Sequence, residues 1–423
     1  MRLGVALSVL LASSTPVLAA PIVVDSTSGA NNVAGSCTLR DAITSANSDT
    51  AVGGCTAGSG SDTISLPAGV TITLTEMDNY TNGANGLPAI ASSIIIEGNG
   101  AIIARDKTVV CSNLFNPTPP PGLFRFFYTA PGSDLTLHGL VLTDGCIVSD
   151  ISGTSSGGSI YNAGQTSVQH VLIRNSLSGF GGAIFNDGNL VVDRTTFDSN
   201  SFYGAGGAIA DSSGGHDTLV TNSVFRGNFT VGHPNRGVGG AIYHDTGTLT
   251  LRNDTFTQNI AYRGAALRLN TGPSFISNVT ISDNSAFSVE DDIGISSSAA
   301  GTSVAKITNS ILATSSFGFN CGVPPGYLEA VGTNLSSDST CAGFTLSSTN
   351  PQFGSVGQGG IAPGYLVLQA SSPAVDGAVS CLDASGTLTI ADDQRGRPRP
   401  YGTNCDLGAY ERDDFLFANG FEP

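Results

Sequence analysis

Few residues in this chain are equipped for chemistry, and they are widely spread. Two adjacent carboxylate pairs stand out, Asp291-Asp292 and Asp392-Asp393. Hydrolysis of a glycosidic bond needs two or three carboxylates flanking it. Elimination on an acidic polysaccharide needs acids that hold Ca²⁺ and an Arg or Lys as base. Neighbours in a strand point to opposite faces, so adjacency is no sign of cooperation, and solvated turns account for both pairs. His216, His233 and His244 follow one another in sequence. His216 and His233 lie on long insertions, where binding sites tend to be built. The three fall at different turns of the pattern described below, so no shared metal is expected. Arg395, Arg397 and Arg399 form the one basic cluster. It suits either an acidic or sulfated glycan or internal pairing with Asp376, Asp392, Asp406 or Glu411. In so acidic a chain the pairing is favoured. Tyr161, Tyr203 and Tyr243 should face outward, where tyrosines can stack on sugar rings. No Ser-His-Asp order can be read, and Gly207 and its companions are not a phosphate loop, because no helix follows.

The elements that must position these residues follow from composition. Of 423 residues 55 are Gly, none is Trp and 12% are charged, against about 25% charged in an ordinary soluble domain. Lys occurs only at Lys107 and Lys306. Helix-rich surfaces use far more Lys and Glu, so a helical bundle, a coiled coil and a collagen are all disfavoured. Hydrophobic residues make up 40%, enough for a large core. An all-β protein with many tight turns is predicted. The net charge of -16 repels phosphate backbones and anionic lipid, so nucleic acid is not an expected partner.

Residues 1–19 read as a secretory signal, with Arg2 at the start, Leu3–Leu11 as the apolar region and cleavage after Ala19. No later apolar run reaches the roughly 18 residues of a membrane helix. The cysteines are Cys37, Cys55, Cys111, Cys146, Cys321, Cys341, Cys381 and Cys405. An even count in an exported chain implies disulfides. Sequence does not fix their connectivity; pairing of neighbours, Cys37–Cys55, Cys111–Cys146, Cys321–Cys341 and Cys381–Cys405, is the simplest expectation. No C-x-x-C occurs and no His accompanies the cysteines at ligand spacing. No cofactor is expected, and no ligand pattern supports Ca²⁺, although the acidic surface could attract it. Gly157–Asn309 holds no cysteine, so something else must secure the middle.

That middle is a repeat. Gly-Gly pairs begin at Gly157, Gly181, Gly206 and Gly239, with a degenerate Gly264-Ala265 after them, in steps of 24, 25, 33 and 25 residues. Three copies read Gly-Gly-Ala-Ile. A second motif follows each: Phe197-Asp-Ser-Asn200, Phe225-Arg-Gly-Asn228, Phe256-Thr-Gln-Asn259 and the variant Ile281-Ser-Asp-Asn284. Another apolar residue stands five positions before each Phe or Ile, at Val192, Val220, Leu251 and Ile276. Short strands with Gly/Asn turns at this period mean a solenoid. The Leu-x-x-Leu-x-Leu signature of leucine-rich repeats is missing. A right-handed parallel β-helix fits, with roughly ten coils of about three strands stacked at about 4.8 Å. Phe197, Phe225, Phe256 and Ile281 would form one inward column. Asn200, Asn228, Asn259 and Asn284 would form a ladder at one turn, where Asn can bond the backbone above and below. Asn162, Asn186, Asp211 and His244 form a second polar column. A solenoid needs capped ends. Thr38-Leu-Arg-Asp41 is a capping-box pattern, and Leu39, Ala42, Ile43 and Ala46 share one helical face. A short helix over the first coil is predicted.

The Gly-Gly-Ala-Ile and Phe-x-x-Asn motifs, over roughly residues 157–290, resemble the repeats of the polymorphic outer-membrane protein family. Cys37-Thr-Leu-Arg-Asp-Ala-Ile43 looks like the Cys-Ser-Leu-Arg-Glu-Ala motif that opens many secreted bacterial β-helix proteins. Ser372-Pro-Ala-Val-Asp376, Asp393-Gln-Arg-Gly-Arg-Pro398 and Cys405-Asp-Leu-Gly-Ala-Tyr-Glu411 resemble the choice-of-anchor-type module that closes such chains. The resemblance implies a secreted or outer-surface β-helix, often adhesive. Members carry a C-terminal membrane barrel; about a dozen residues follow Glu411 here, too few for two membrane strands. The Asn-Thr-Asp and Gly-His-Gly signatures of β-helical hydrolases are absent. The organisation read from the chain is a signal over 1–19, a cap and first coils over 20–90, the β-helix over 91–320, a closing module over 321–411 and a tail over 412–423. The expected function is adhesion or binding to a surface polysaccharide or to a host or neighbouring cell surface, as a monomer without catalysis. The alternative is a polysaccharide lyase or glycoside hydrolase acting on one face.

Overall fold

A coil that is apolar at every second inward position cannot bury that face alone, so successive coils must stack. The structure, a computed structural model, describes residues 20–111, 122–147, 155–230, 237–287, 293–295, 305–313, 319–323, 326–357 and 364–413. They wind as a parallel β-helix with sheets of eleven, ten, eight and five strands. One middle coil contributes Gln165–Gln169, Leu172–Arg174, Leu177–Phe180 and Ile184–Asn186, one strand to each sheet. Such coils therefore carry four strands where the sequence suggested three. The extra one lies between the Asn turn and the Gly pair.

Equivalent inward residues fall in register. Ile64, Ile96, Leu137, Val168, Val192, Val220, Leu251, Ile276 and Ile307 line the inside of the eleven-stranded sheet and are fully buried. In the ten-stranded sheet the Phe197 and Phe225 rings stack at 4.8 Å and those of Phe225 and Phe256 at 4.6 Å. Ile173 precedes this column and Ile281 follows it. Beside it, Asn200 Nδ2 donates to Asn228 Oδ1 (3.0 Å), Asn228 Nδ2 to Asn259 Oδ1 (2.9 Å) and Asn259 Nδ2 to Asn284 Oδ1 (2.9 Å). Each oxygen also accepts the backbone N–H of the Asn one coil earlier. The Gly pairs are a steric necessity. Gly206 has φ 71°, and a Cβ on Gly207 would collide with the Gly240 carbonyl of the next coil.

The helix Leu39–Ser48 covers the first coil. Thr38 is its N-cap and accepts from the Asp41 N–H at 3.2 Å, while Leu39, Ala42, Ile43 and Ala46 are buried. The strand Ile22–Val23 pairs with Ser61–Ser65 and covers that edge of the sheet. Disulfides join Cys37 to Cys55, Cys111 to Cys146, Cys321 to Cys341 and Cys381 to Cys405. Among the described residues no helix is long and apolar enough to cross a membrane.

Residues 364–413 do not extend the stack. They lie back along the outer face of the ten-stranded sheet. Arg252 pairs with Asp383 at 3.0 Å, and Asn253 Nδ2 donates to the Asp392 carbonyl at 2.9 Å. Thr255 Oγ1 donates to Gln394 at 2.7 Å, and the Ala409 N–H donates to Thr280 Oγ1 at 2.9 Å. Asn309 Nδ2 donates to the Ser380 carbonyl at 2.7 Å. Val224, Thr255, Thr280 and Ile311, outward residues of that sheet, are consequently buried.

Candidate functional site

Among the described residues, the C-terminal segment covers the ten-stranded sheet and leaves most of the outer face of the eleven-stranded sheet, the longest of the sheets, uncovered. Alternation along each strand builds it. In Asn189–Asp193 the inward Leu190 and Val192 are buried while Val191 is 40% exposed. Register then lines up the outward residues. The central column runs Thr63, Ile95, Thr136, Ser167, Val191, Leu219, Thr250, Phe275 and Lys306. At about 4.8 Å per strand the eleven strands present a surface of roughly 48 Å. On one side run Ser61, Ser93, Asp134, Gln165 and Asn189. On the other run Ser65, Glu97, His138, Gln169, Asp193, Thr221 and Arg252. The face mixes hydroxyls, amides and a few charges with the apolar side chains of Ile95, Val191, Leu219 and Phe275. It can hydrogen-bond and pack against a ligand that repeats along the helix axis.

Its charged groups are largely paired with one another. His138 Nδ1 lies 2.6 Å from Glu97 Oε2. Asp193 accepts from Thr221 Oγ1 and Asn222 Nδ2, each at 2.8 Å, and pairs with Arg194 at 3.0 Å.

None of the described residues singled out by their chemistry lies in these columns. Asp393 is fully buried whereas Asp392 is exposed. Asp393 accepts from the N–H groups of Arg395 (2.8 Å), Arg397 (2.9 Å) and Glu411 (2.9 Å), and it pairs with the Arg395 side chain at 2.8 Å. It organises its own turn. Asp291-Asp292 and His233 lie outside the described residues. His244 is buried at the end of the second polar column. There Asn162 Nδ2 donates to Asn186 (2.7 Å), Asn186 Nδ2 donates to Asp211 (3.1 Å), and Asp211 meets His244 Nδ1 at 2.7 Å. Among the described residues no three His, Cys, Asp or Glu groups converge in a way that could hold a metal ion.

Two of the three arginines of the basic cluster are engaged internally. Arg399 is buried and pairs with Glu411 at 3.2 Å. The Arg395 guanidinium sits 3.9 Å from the Tyr410 ring centre and 5.2 Å from that of Tyr365. Only Arg397 is mostly exposed, 3.7 Å from Asp413. Burial beside Glu411 outweighs the N–H donors from Arg412 and Asp376 and pushes Asp406 up to about 7.

The tyrosines do not form a sugar platform. Tyr161 is buried between Tyr128 and Phe185, at ring separations of 5.7 and 5.1 Å, with the Arg125 guanidinium 5.0 Å away. Tyr203 packs against the cluster around Cys111 and Cys146, and burial pushes its hydroxyl up to about 12. Tyr243 is half-buried. Tyr161 is covered by its neighbours one coil before and after it, Tyr128 and Phe185.

Two features escaped the sequence reading. Asp254 is a fully buried acid, raised well above the ordinary range by burial, although it accepts the N–H groups of Ser223 and Arg252. Its place in the Ser/Thr column beside Ser223 is visible only once the coils are in register. The second is the group Glu97, His138 and His170, drawn from three successive coils.

No family model, no curated protein and no solved structure matches this chain.

Proposed function

We propose that the protein is an exported, non-catalytic β-helix that binds a surface polysaccharide along the outer face of its eleven-stranded sheet. The observation that carries this reading is the face itself. It runs across eleven strands, it repeats at the strand spacing, and hydroxyl and amide groups line it beside apolar ones. A polymer with its own repeat can be met many times over by such a face, so weak single contacts add through multivalency. Four disulfides fit an oxidising compartment. The buried roles of Asp393, Arg399 and His244, and the pairing of Arg395 with Asp393, weigh against a lyase or hydrolase.

The test uses residues 20–423 on immobilised acidic and neutral polysaccharides, with and without Ca²⁺, while new reducing ends and unsaturated products are followed. Retention without cleavage is expected. Val191→Arg together with Leu219→Glu, outward and free of core contacts, should abolish retention and leave the fold intact by circular dichroism. Cleavage of any polymer would overturn the reading.

A further inference from the structure

We propose that His138 and His170 bind a divalent transition-metal ion, with Glu97 as the carboxylate that orients His138. The three residues come from successive coils. Glu97 ends the strand Ser93–Glu97 and faces His138, which ends Asp134–His138. His138 in turn faces Gln169, the neighbour of His170. Stacking at about 4.8 Å per coil therefore sets side by side residues that are far apart in sequence.

The hydrogen bond to Glu97 decides which nitrogen is available. His138 Nδ1 lies 2.6 Å from Glu97 Oε2. An ionised carboxylate only accepts, so Nδ1 carries the hydrogen, and in the neutral imidazole it is Nε2 that offers the lone pair. This is the second-shell arrangement that fixes the tautomer and raises the basicity of a metal-binding imidazole. The His170 ring stands 5.3 Å from the His138 ring, nearly perpendicular to it. Metal–nitrogen bonds of about 2.0–2.1 Å at a tetrahedral angle place two ligating imidazole centres roughly 5 Å apart. That separation is already present. With His138 held by Glu97, rotation about the broad χ2 torsion of the exposed His170 is what would turn one of its nitrogens towards His138 Nε2.

The place of His170 in the repeat points the same way. Between the eleven- and ten-stranded sheets each coil turns on a left-handed residue, and His170 has φ 53°. Further along, Asn253, Asn278 and Asn309 hold this corner and donate to carbonyls of the C-terminal residues. His170 is exposed, and its ring packs edge-on against a second imidazole. Two imidazoles suit Zn²⁺, Cu²⁺ or Ni²⁺, whereas Ca²⁺ and Mg²⁺ require oxygen ligands. No third protein group closes on the pair among the described residues, so water or a group from a bound partner completes the shell. This inference does not depend on the glycan reading.

The test titrates untagged residues 20–423 with CuCl₂ and with ZnCl₂ in a calorimeter and records the electron paramagnetic resonance of the Cu²⁺ form. One saturable ion per chain is expected, with coupling to two nitrogens. His138→Ala and His170→Ala should each weaken binding at least tenfold, and Glu97→Gln about tenfold with both nitrogens retained. His216→Ala should change nothing. All four positions are at least partly exposed, so circular dichroism should show each variant folded. The proposal is overturned if no saturable binding is seen, if His170→Ala binds as wild type does, or if the double variant His138→Ala/His170→Ala keeps the ion.

Discussion

The middle coils and the C-terminal residues 364–413 solve one problem, a folded backbone with buried polar groups, by opposite means. Between Cys146 and Cys321 no disulfide is available, and the coils hold by repetition. Each Phe stacks on the next Phe, and each Asn bonds the next Asn. Residues 364–413 have no copy of themselves to lean on. Their polar groups are met by unlike partners, Arg399 by Glu411 and Arg395 by Asp393, and a disulfide ties Cys381 to Cys405. In a repeat the partner of a residue is itself one coil away, so a single motif satisfies many positions. Outside the repeat every contact must be specified separately.

Substitutions can break that contrast, and the largest effect is expected at the stack. Phe225→Ala should cost about 3–5 kcal/mol, because the cavity is walled by Phe197 and Phe256 and cannot collapse; guanidinium unfolding measures it. Arg399→Met comes next. It leaves Glu411 buried without its cation, at a cost of roughly 3 kcal/mol. Adding Glu411→Leu should recover only part of the loss, because Glu411 also accepts the N–H groups of Tyr401 and Asp406. Asn228→Ala should cost about 1–3 kcal/mol, since it strips partners from Asn200 and Asn259 together.

A pH series sharpens the comparison further. Asp406 is raised in the folded protein to about 7 from an ordinary 3.8. Its stabilising contribution is therefore complete below about pH 4 and is lost as pH rises towards 7. Asp406→Asn should remove that component of the pH dependence, read as the difference in slope between variant and wild type, while Phe225→Ala should leave the slope unchanged. The smallest effect is expected at the half-exposed pair Arg226–Asp198, 2.6 Å apart. Arg226→Ala should change stability by less than about 1 kcal/mol.

Much of the fold was legible in the residues. The Gly-Gly and Phe-x-x-Asn spacing implied a β-helix, because a coil meets the same neighbours each time and its sequence must repeat. The fourth strand per coil was not legible. Segments such as Ser201–Ala205 carry no alternation that marks them as strands, and only backbone pairing to the coils on either side defines them. The candidate site was legible only in outline. Outward residues such as Val191 and Thr250 follow no motif, since solvent imposes none, and their alignment exists only through register.

Composition, the repeat period and the cap at Thr38 were thus determined by the sequence itself, through local sterics and the need of each coil to bury one face. The tertiary structure decided what lies on the outside of the coils. It laid residues 364–413 over one flank, covered Tyr161, turned Arg395 and Arg399 onto internal acids, left the eleven-stranded face largely uncovered and set His138 beside His170. These are contacts between segments with no common repeat, and their pairing depends on which surfaces remain uncovered after the coils have stacked.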